Sequence, residues 1–337
     1  MDWFERITGF REMDYARTRA RLEVADGQLR PTVNGRSYAT GNLELVSLQS
    51  LRERLVAAAG LPGRLKVSVV TGNVREMHSA PENMGALFQV ASQFNLLEMP
   101  SPSVTPEHGV TAYQYDGTQG PACAMAAGAA TIYRNYFALV DGHEGQTREH
   151  QLNGLADMGS TLSDALAQPV DALWSMRNGY AICTRAGLDA ISAHMLTLSP
   201  EQMDVLRGKL RIGVHSGVEI TDHPEHHSIR VTQAFCSALP VAYGKVPAKY
   251  WAAFGTLVLE ASYEATLWAA VLNARRSRSN VVFLTRVGGG VFGNDPEWID
   301  KAMRRAFRLA RDFALDVRLV SHGEPSAALL KMAKEFG

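Results

Sequence analysis

The 337-residue sequence predicts an α/β layered fold built on a sheet with parallel strands. Three observations carry that expectation. Near the C-terminus a buried strand (Val281–Thr285), a glycine-rich turn, an amphipathic helix and a second strand (Leu315–Val320) follow one another. Two strands joined through a helix run parallel in one sheet. Strand-like and helix-like runs also alternate along the rest of the chain, which is the pattern of layered α/β folds. Finally, the length suits one large α/β domain with extensions, or two domains of roughly 150 residues each.

Taken in order, residues 1–60 read as an N-terminal extension and residues 61–337 as the main α/β domain with insertions. Asp26-Gly27 and Asn34-Gly35 are turn signals. The run Arg21–Val24 before the first of them predicts a small hairpin. Leu48–Ala59 places Leu51, Leu55 and Ala58 on one helical face and ends near Gly60 and Pro62. Leu65–Val70 is a strand leading to Thr71-Gly72-Asn73, and Ala86–Ser92 is a second. Prolines 100, 102 and 106 mark a long loop. Gly120-Pro121 opens an Ala-rich helical segment reaching Tyr136, with Pro121 suited to the first helical position. A strand over Ala181–Thr184 follows, then helices over Ala186–Leu196 and Pro200–Lys209, with Ser199 as a cap. Strands are expected over Leu210–Ile220 and Ile229–Phe235. Tyr250–Ala274 is a long helix in which Trp251 and Trp268 read as core. After the glycine turn, Asp295 caps a helix with Pro296 first, and its apolar face runs Ile299, Met303, Ala306, Ala310, Phe313.

Composition narrows the function classes. Lys+Arg and Asp+Glu both number 34, so the formal net charge is zero and gives no global reason to expect nucleic-acid or anionic-membrane binding. Hydrophobic residues at 46% and charged residues at 20% fit a folded chain rather than a disordered one. The most apolar stretch, Phe254–Ala274, carries Glu260 and Glu264, which suits a core helix rather than a membrane span. The three cysteines, Cys123, Cys183 and Cys236, form no CxxC pair, so neither a disulfide framework nor a zinc finger is expected. The first residues lack a signal-type apolar run, and the expected compartment is the cytoplasm.

Three segments carry candidate chemistry. Gly288, Gly289, Gly290 and Gly293 sit between the end of a strand and a helix, where open parallel sheets bind ligands. Glycines let backbone N–H groups approach a phosphate and form an anion nest without Lys or Arg. The alternative is a tight strand-to-helix turn. The second segment, Tyr113–Pro121, places Asp116, Thr118 and Gln119 before a helix whose first amides are free for an anion. Its alternative is ordinary capping. The third, Phe88–Glu98, runs a strand into a loop with Gln93, Asn95 and Glu98. An amide there suits a sugar hydroxyl, and Glu98 suits a general base on water. Other features read as structural. His223, His226 and His227 form a polar surface turn rather than a zinc site. His215 is a satisfied sheet histidine. Glu260 and Glu264 hydrogen-bond loop amides, with Glu264 buttressing the ligand loops. Arg275, Arg276 and Arg278 end the long helix.

Val281–Asn294, VVFLTRVGGGVFGN, with its following helix and strand, resembles the C-terminal half of a macrodomain. The resemblance implies a three-layer α/β/α fold with a mixed sheet, a site for ADP-ribose or a derivative, and in some members hydrolysis of ADP-ribosyl linkages. The matching run is Gly288, Gly289, Gly290, Val291, Phe292 and Gly293, and the resemblance implies that its glycine amides cradle the diphosphate, with Phe292 against the distal ribose. Leu65–Val74, LKVSVVTGNV, resembles the strand whose following acidic residue reads adenine, but Asn73 stands where the usual pattern has Asp. Ala86–Glu98, ALFQVASQFNLLE, resembles the poly(ADP-ribose) glycohydrolase branch, whose Gln-Glu-Glu signature is absent, although Gln119 lies in a comparable loop-to-helix setting.

The expected cleft lies between the Gln93–Glu98 loop, the Asp116–Gly120 segment and Gly288–Asn294. One reading is an ADP-ribosyl hydrolase. In it loop amides fix the diphosphate, Asn95 positions the distal ribose, and Glu98 or Asp116 activates water or stabilises charge at the anomeric carbon. A second is a non-catalytic reader, sensor or sponge that needs the same cradle and no carboxylate. A third is an interaction protein that keeps the fold without the pocket. The expected partner is an ADP-ribose-type small molecule or an ADP-ribosylated macromolecule, with no membrane and no nucleic acid. No cofactor or metal is expected.

Overall fold

The computed structural model describes residues 1–57, 61–222, 229–277 and 279–337. Its centre is a mixed sheet of seven strands, in chain order β1 (Asn42–Ser47), β2 (Lys66–Thr71), β3 (Leu87–Ala91), β4 (Arg211–Glu219), β5 (Arg230–Cys236), β6 (Val281–Leu284) and β7 (Asp316–Ser321). Across the sheet they lie β1-β4-β5-β3-β6-β7-β2. The β1–β4 and β4–β5 pairs are antiparallel, and every other neighbour is parallel. The expected βαβ unit is present: β6 crosses through the helix Pro296–Leu309 to β7, with Val282 opposite Val317.

Strand alternation sends side chains into two cores. Leu87 of β3 and Val282 and Leu284 of β6 join one core with the helices Leu48–Ala57, Ala252–Ser277 and Pro296–Leu309. Phe88 and Val90 of β3 and Phe283 of β6 join the other, beneath the helices Val74–Ser79, Gln119–Ala126 and Gly128–Tyr136. Sheets apolar on both faces must be covered on both faces, so the three-layer α/β/α architecture follows. The long helix Ala252–Ser277 is buried along most of its length, including Trp251 before it and Trp268 within it. No described helix is long and apolar enough to cross a membrane.

Several boundaries differ from expectation. Residue 60 does not divide the chain, because β1 pairs along β4 as the edge of the main sheet. Trp3, Phe4 and Ile7 also share a core with Met125, Ala129 and Ile132. The Glu12 carboxylate accepts from the N–H groups of Val110 (2.9 Å) and Thr111 (2.6 Å) and from the Tyr136 hydroxyl (2.8 Å). The N-terminal segment therefore holds the chain that leads into Asp116. The hairpin at Asp26-Gly27 forms, with φ of 53° and 69° at its two central residues, the type I′ geometry that such a pair supplies. The Ala-rich segment is two helices broken at Ala127, and the first begins at Gln119, so Pro121 is its third residue. Pro121 is tolerated there because the first N–H groups of a helix have no intrahelical acceptor. Tyr180–Cys183 pairs with Trp174–Arg177 in a separate hairpin rather than in the main sheet. All three cysteines are buried free thiols. No cluster of metal-ligating side chains occurs among the described residues. His223, His226, His227, Ala58, Gly60 and Arg278 lie outside those residues.

Candidate functional site

The C-terminal ends of β3, β5 and β6 open onto a cleft of about 300 Å³. Ser92, Gln93 and Glu98 line it from the loop after β3, and Asp116–Pro121 supply Asp116, Thr118, Gln119 and Gly120. Thr285–Phe292 contribute the third wall, with Tyr180, Ala238 and Tyr243 closing one side. This is the crevice position at which open parallel sheets hold ligands.

The glycine loop spends only some of its donors on itself. Gly289 N–H donates to Arg286 O (3.0 Å), Gly293 N–H to Gly290 O (3.0 Å) and Asn294 N–H to Gly288 O (2.9 Å). The N–H groups of Gly288, Gly290, Val291 and Phe292 have no acceptor among the described residues, and these four residues line the cleft. Three consecutive unspent donors are the kind of backbone arrangement that can hold an anion without a cationic side chain. Gly288 is at φ 77°, and a Cβ there would lie 2.5 Å from the Ala238 Cβ, so both backbone and space require glycine. Phe292 meets Tyr180 and Tyr243 with ring centroids 5.4 and 5.5 Å away, forming an apolar wall beside the amides. Asp295 caps its helix by accepting from Glu297 N–H (2.8 Å) and is not among the cleft residues.

The opposite wall is acidic. Glu98 is 4% exposed, and its Oε1 has no hydrogen-bond partner among the described residues. Burial pushes its carboxyl well above the ordinary range; the Arg134 charge opposes that shift and Asp116 adds to it. Burial thus favours the protonated, neutral form of this carboxyl. Its backbone N–H donates to the Tyr113 hydroxyl (2.9 Å). Gly120 presses against it: a Cβ at Gly120 would collide with Ala91 O and Glu98 Oε2. Gln119 fastens this helix start to β3, its amide accepting from Ala91 N–H (2.9 Å) and donating to Gln89 O (2.8 Å). Asp116 sits at the junction with an adjoining compartment of about 360 Å³, and its Oδ1 accepts from Thr118 N–H (2.8 Å). Thr118 is exposed on the rim.

Some expected ligand residues have other tasks. Gln93 lines the cleft, but its amide accepts from Met99 N–H (2.8 Å) and donates to Met99 O (3.2 Å), stapling its own loop closed. Asn95 is buried away from the cleft, donating to Gln151 Oε1 (2.9 Å) and accepting from Leu97 N–H (3.1 Å), so it does not reach a ribose there. Asn294 donates to Leu239 O (2.8 Å) beneath the loop, and neither it nor Gly289 or Gly293 lines the cleft. Asn73 caps the helix Val74–Ser79 and lines the adjoining compartment instead, with Arg75, Gln114 and His322. Glu264 does not buttress the ligand loops. It binds Arg52 (2.7 Å), Arg305 (2.5 Å) and the Trp268 indole N–H (3.0 Å), while Glu260 binds Arg207 (2.7 Å). These ion pairs win because each carboxylate meets a guanidinium brought from another helix. His215 is buried beside Arg134, with Nδ1 3.4 Å from Nη1, and its Nε2 has no partner among the described residues.

The buttress is the neighbouring residue, Tyr263. Its hydroxyl donates to Thr285 O (2.7 Å) and accepts from Val287 N–H (2.9 Å), clamping the entry to the glycine loop. Tyr263, Tyr180, Tyr243 and Arg134 were not legible as site residues, since each comes from a distant segment. Thr285 and Arg286 adjoin the glycine run and were within reach of a sequence reading. Arg286 pairs with Asp300 at the mouth.

No protein-family model matches this chain, and no curated protein matches it. Among solved structures it is similar to poly(ADP-ribose) glycohydrolase from Thermomonospora curvata, at 16% identity and a TM-score of 0.39, over 93% of this chain and 92% of that one. It is also similar to poly(ADP-ribose) glycohydrolase from Deinococcus radiodurans in complex with ADP-ribose, at 12% identity and a TM-score of 0.42, over 87% and 93%. At these scores neither likeness bears on ligand or reaction.

Proposed function

We propose that this cleft binds an ADP-ribose-type ligand through its diphosphate and hydrolyses an ADP-ribosyl glycosidic bond. The observation that carries the reading is one crevice lined both by unspent backbone donors and by a buried carboxyl with an unpartnered oxygen, whose neutral form burial favours. The donors of Gly288, Gly290, Val291 and Phe292 suit phosphate oxygens, and the Phe292, Tyr180 and Tyr243 rings suit the apolar face of a sugar. Glu98 donates its proton to the leaving oxygen as the bond to the anomeric carbon breaks. The resulting carboxylate faces the oxocarbenium centre and takes a proton from the attacking water, which restores the acid. Asp116 adds negative charge at the cleft junction, which favours the same cationic transition state. The ADP-ribosyl group is carried by a small molecule or by a macromolecule. Three buried free thiols suit a reducing compartment such as the cytoplasm.

The test is chromatographic release of ADP-ribose from an ADP-ribosylated protein, paired with calorimetry on free ADP-ribose. Wild type binds and turns over; Glu98→Gln still binds but loses roughly 10²- to 10⁴-fold in rate, the range for a lost general acid. Binding without any turnover in the wild type makes the protein a reader. No heat with ADP-ribose refutes the ligand class.

A further inference from the structure

We propose that Arg134, a buried guanidinium behind the cleft, is a positioning residue for Glu98: it grips the loop that carries the carboxyl and supplies the positive charge that lets a buried acid release a proton as well as hold one. This rests on Glu98 being the acid of the proposed reaction.

Arg134 lies on the helix Gly128–Tyr136 and is fully buried. Its Nε donates to Leu96 O (3.2 Å), its Nη2 to Thr131 Oγ1 (2.9 Å) and its Nη1 to His215 Nδ1 (3.4 Å). The guanidinium also stands 3.9 Å over the Phe235 ring. All three acceptors are neutral, and among the described residues no carboxylate forms an ion pair with it. A buried cation without a paired anion is rare, since taking a charge out of water is costly. Two residues beyond Leu96 is Glu98, a buried acid with an unpartnered oxygen. Leu96 is itself at φ 65°, a left-handed conformation that costs a leucine energy. The bond from Arg134 to its carbonyl, with Gln146 donating to Asn95 O (3.0 Å), holds that turn.

The other groups facing Glu98 do not supply the missing charge. Burial keeps the Tyr113 and Tyr180 hydroxyls and the Cys123 thiol neutral, pushing each far up. Asp116 is an acid and opposes ionisation of Glu98. His215 is neutral, pushed well down by burial and by Arg134. Arg134 is lowered to about 10 by burial and so stays cationic at neutral pH. Among the described residues it is the one cation opposing the desolvation of Glu98, and without it the carboxylate that must accept a proton from water is strongly disfavoured.

Carbon-13 NMR of glutamate-labelled full-length protein, with Glu98 assigned through Glu98→Gln, reads the carboxyl directly. In the wild type the Glu98 midpoint lies above the ordinary carboxyl range, as its burial requires. In Arg134→Gln the Glu98 midpoint rises by about one pH unit or more, and the alkaline limb of kcat/KM moves with it. Arg134→Lys keeps the charge but loses the planar fork, and its midpoint stays near wild type. An unchanged midpoint in Arg134→Gln overturns the proposal, as does Arg134→Lys behaving like Arg134→Gln. If Arg134→Gln does not fold, Arg134→Lys carries the test, and a Glu98 midpoint about one pH unit or more above wild type in that variant overturns the proposal. The NMR readout needs no turnover. A coupled titration in a protein that hydrolyses nothing removes the proposed reaction and leaves the coupling, whereas turnover with no coupling does the reverse.

Discussion

Tyr263→Phe removes one buried oxygen and should weaken the proposed diphosphate-binding loop without touching it. The Tyr263 side chain is fully buried, and its hydroxyl makes the two bonds that bracket Arg286, at 2.7 Å to Thr285 O and 2.9 Å from Val287 N–H. Thr285 is half-buried, so water can serve its carbonyl, but Val287 is buried and its N–H is left without an acceptor. An orphaned buried donor costs about 1–3 kcal/mol, so the central expectation is a loss of about 2 kcal/mol. With a melting entropy of about 2.1 cal/mol/K per residue, a chain of this length loses about 3 °C in Tm. Where the loop relieves the cost by loosening, the ligand must reorder it, and about 2 kcal/mol corresponds to a roughly 30-fold weaker Kd. Urea unfolding measures the first quantity and ADP-ribose calorimetry the second. A stability loss under about 0.5 kcal/mol together with unchanged affinity would refute the buttress.

Gly288→Ala and Gly290→Ala should separate within one loop. The first places a Cβ 2.5 Å from Ala238 at φ 77° and lowers Tm, whereas the second meets nothing within 4 Å and leaves Tm unchanged by scanning calorimetry. The pH dependence of stability should show two opposed contributions. His78 is held neutral by burial, with Nδ1 donating to Val74 O (2.7 Å), and its pKa is lowered to about 4. The unfolded chain then binds more protons between the ordinary 6.5 and 4, so stability present above 6.5 is lost as pH falls through that window. His78→Gln should flatten this slope in urea midpoints. Glu98 is raised instead, so its contribution is full below the ordinary 4.5 and is lost as pH rises toward the folded value. Glu98→Gln should therefore gain stability on the wild type with increasing pH, while losing turnover. A Glu98→Gln advantage that shrinks with pH would refute the upward shift of Glu98.

The main strands and helices were legible because their signals are local. Val281–Leu284 is apolar on both faces, as a central parallel strand must be, and Asp295-Pro296 marks a helix start through capping chemistry confined to a few residues. The glycine run was legible for the same reason, since a close backbone approach demands glycine whatever lies across the gap. The edge strand Asn42–Ser47 was not, because its place depends on pairing with Arg211–Glu219, far along the chain. Asn95 and Gln93 carry the side chains that a sugar site would use, and nothing in their neighbourhood announces that Gln151 and Met99 occupy them.

Sequence alone thus determined the layered α/β class, the turn that exposes backbone donors, and the presence of a carboxyl in the loop after a central strand. Tertiary structure decided which donors remain unspent, which carboxyl is buried against Gly120 with its proton affinity raised, and that Tyr263 and Arg134 stand behind the two walls. The reason is physical. Periodicity, capping and turn chemistry act within a few residues, whereas desolvation, hydrogen-bond saturation and the field of a buried charge depend on what other segments bring within a few ångströms.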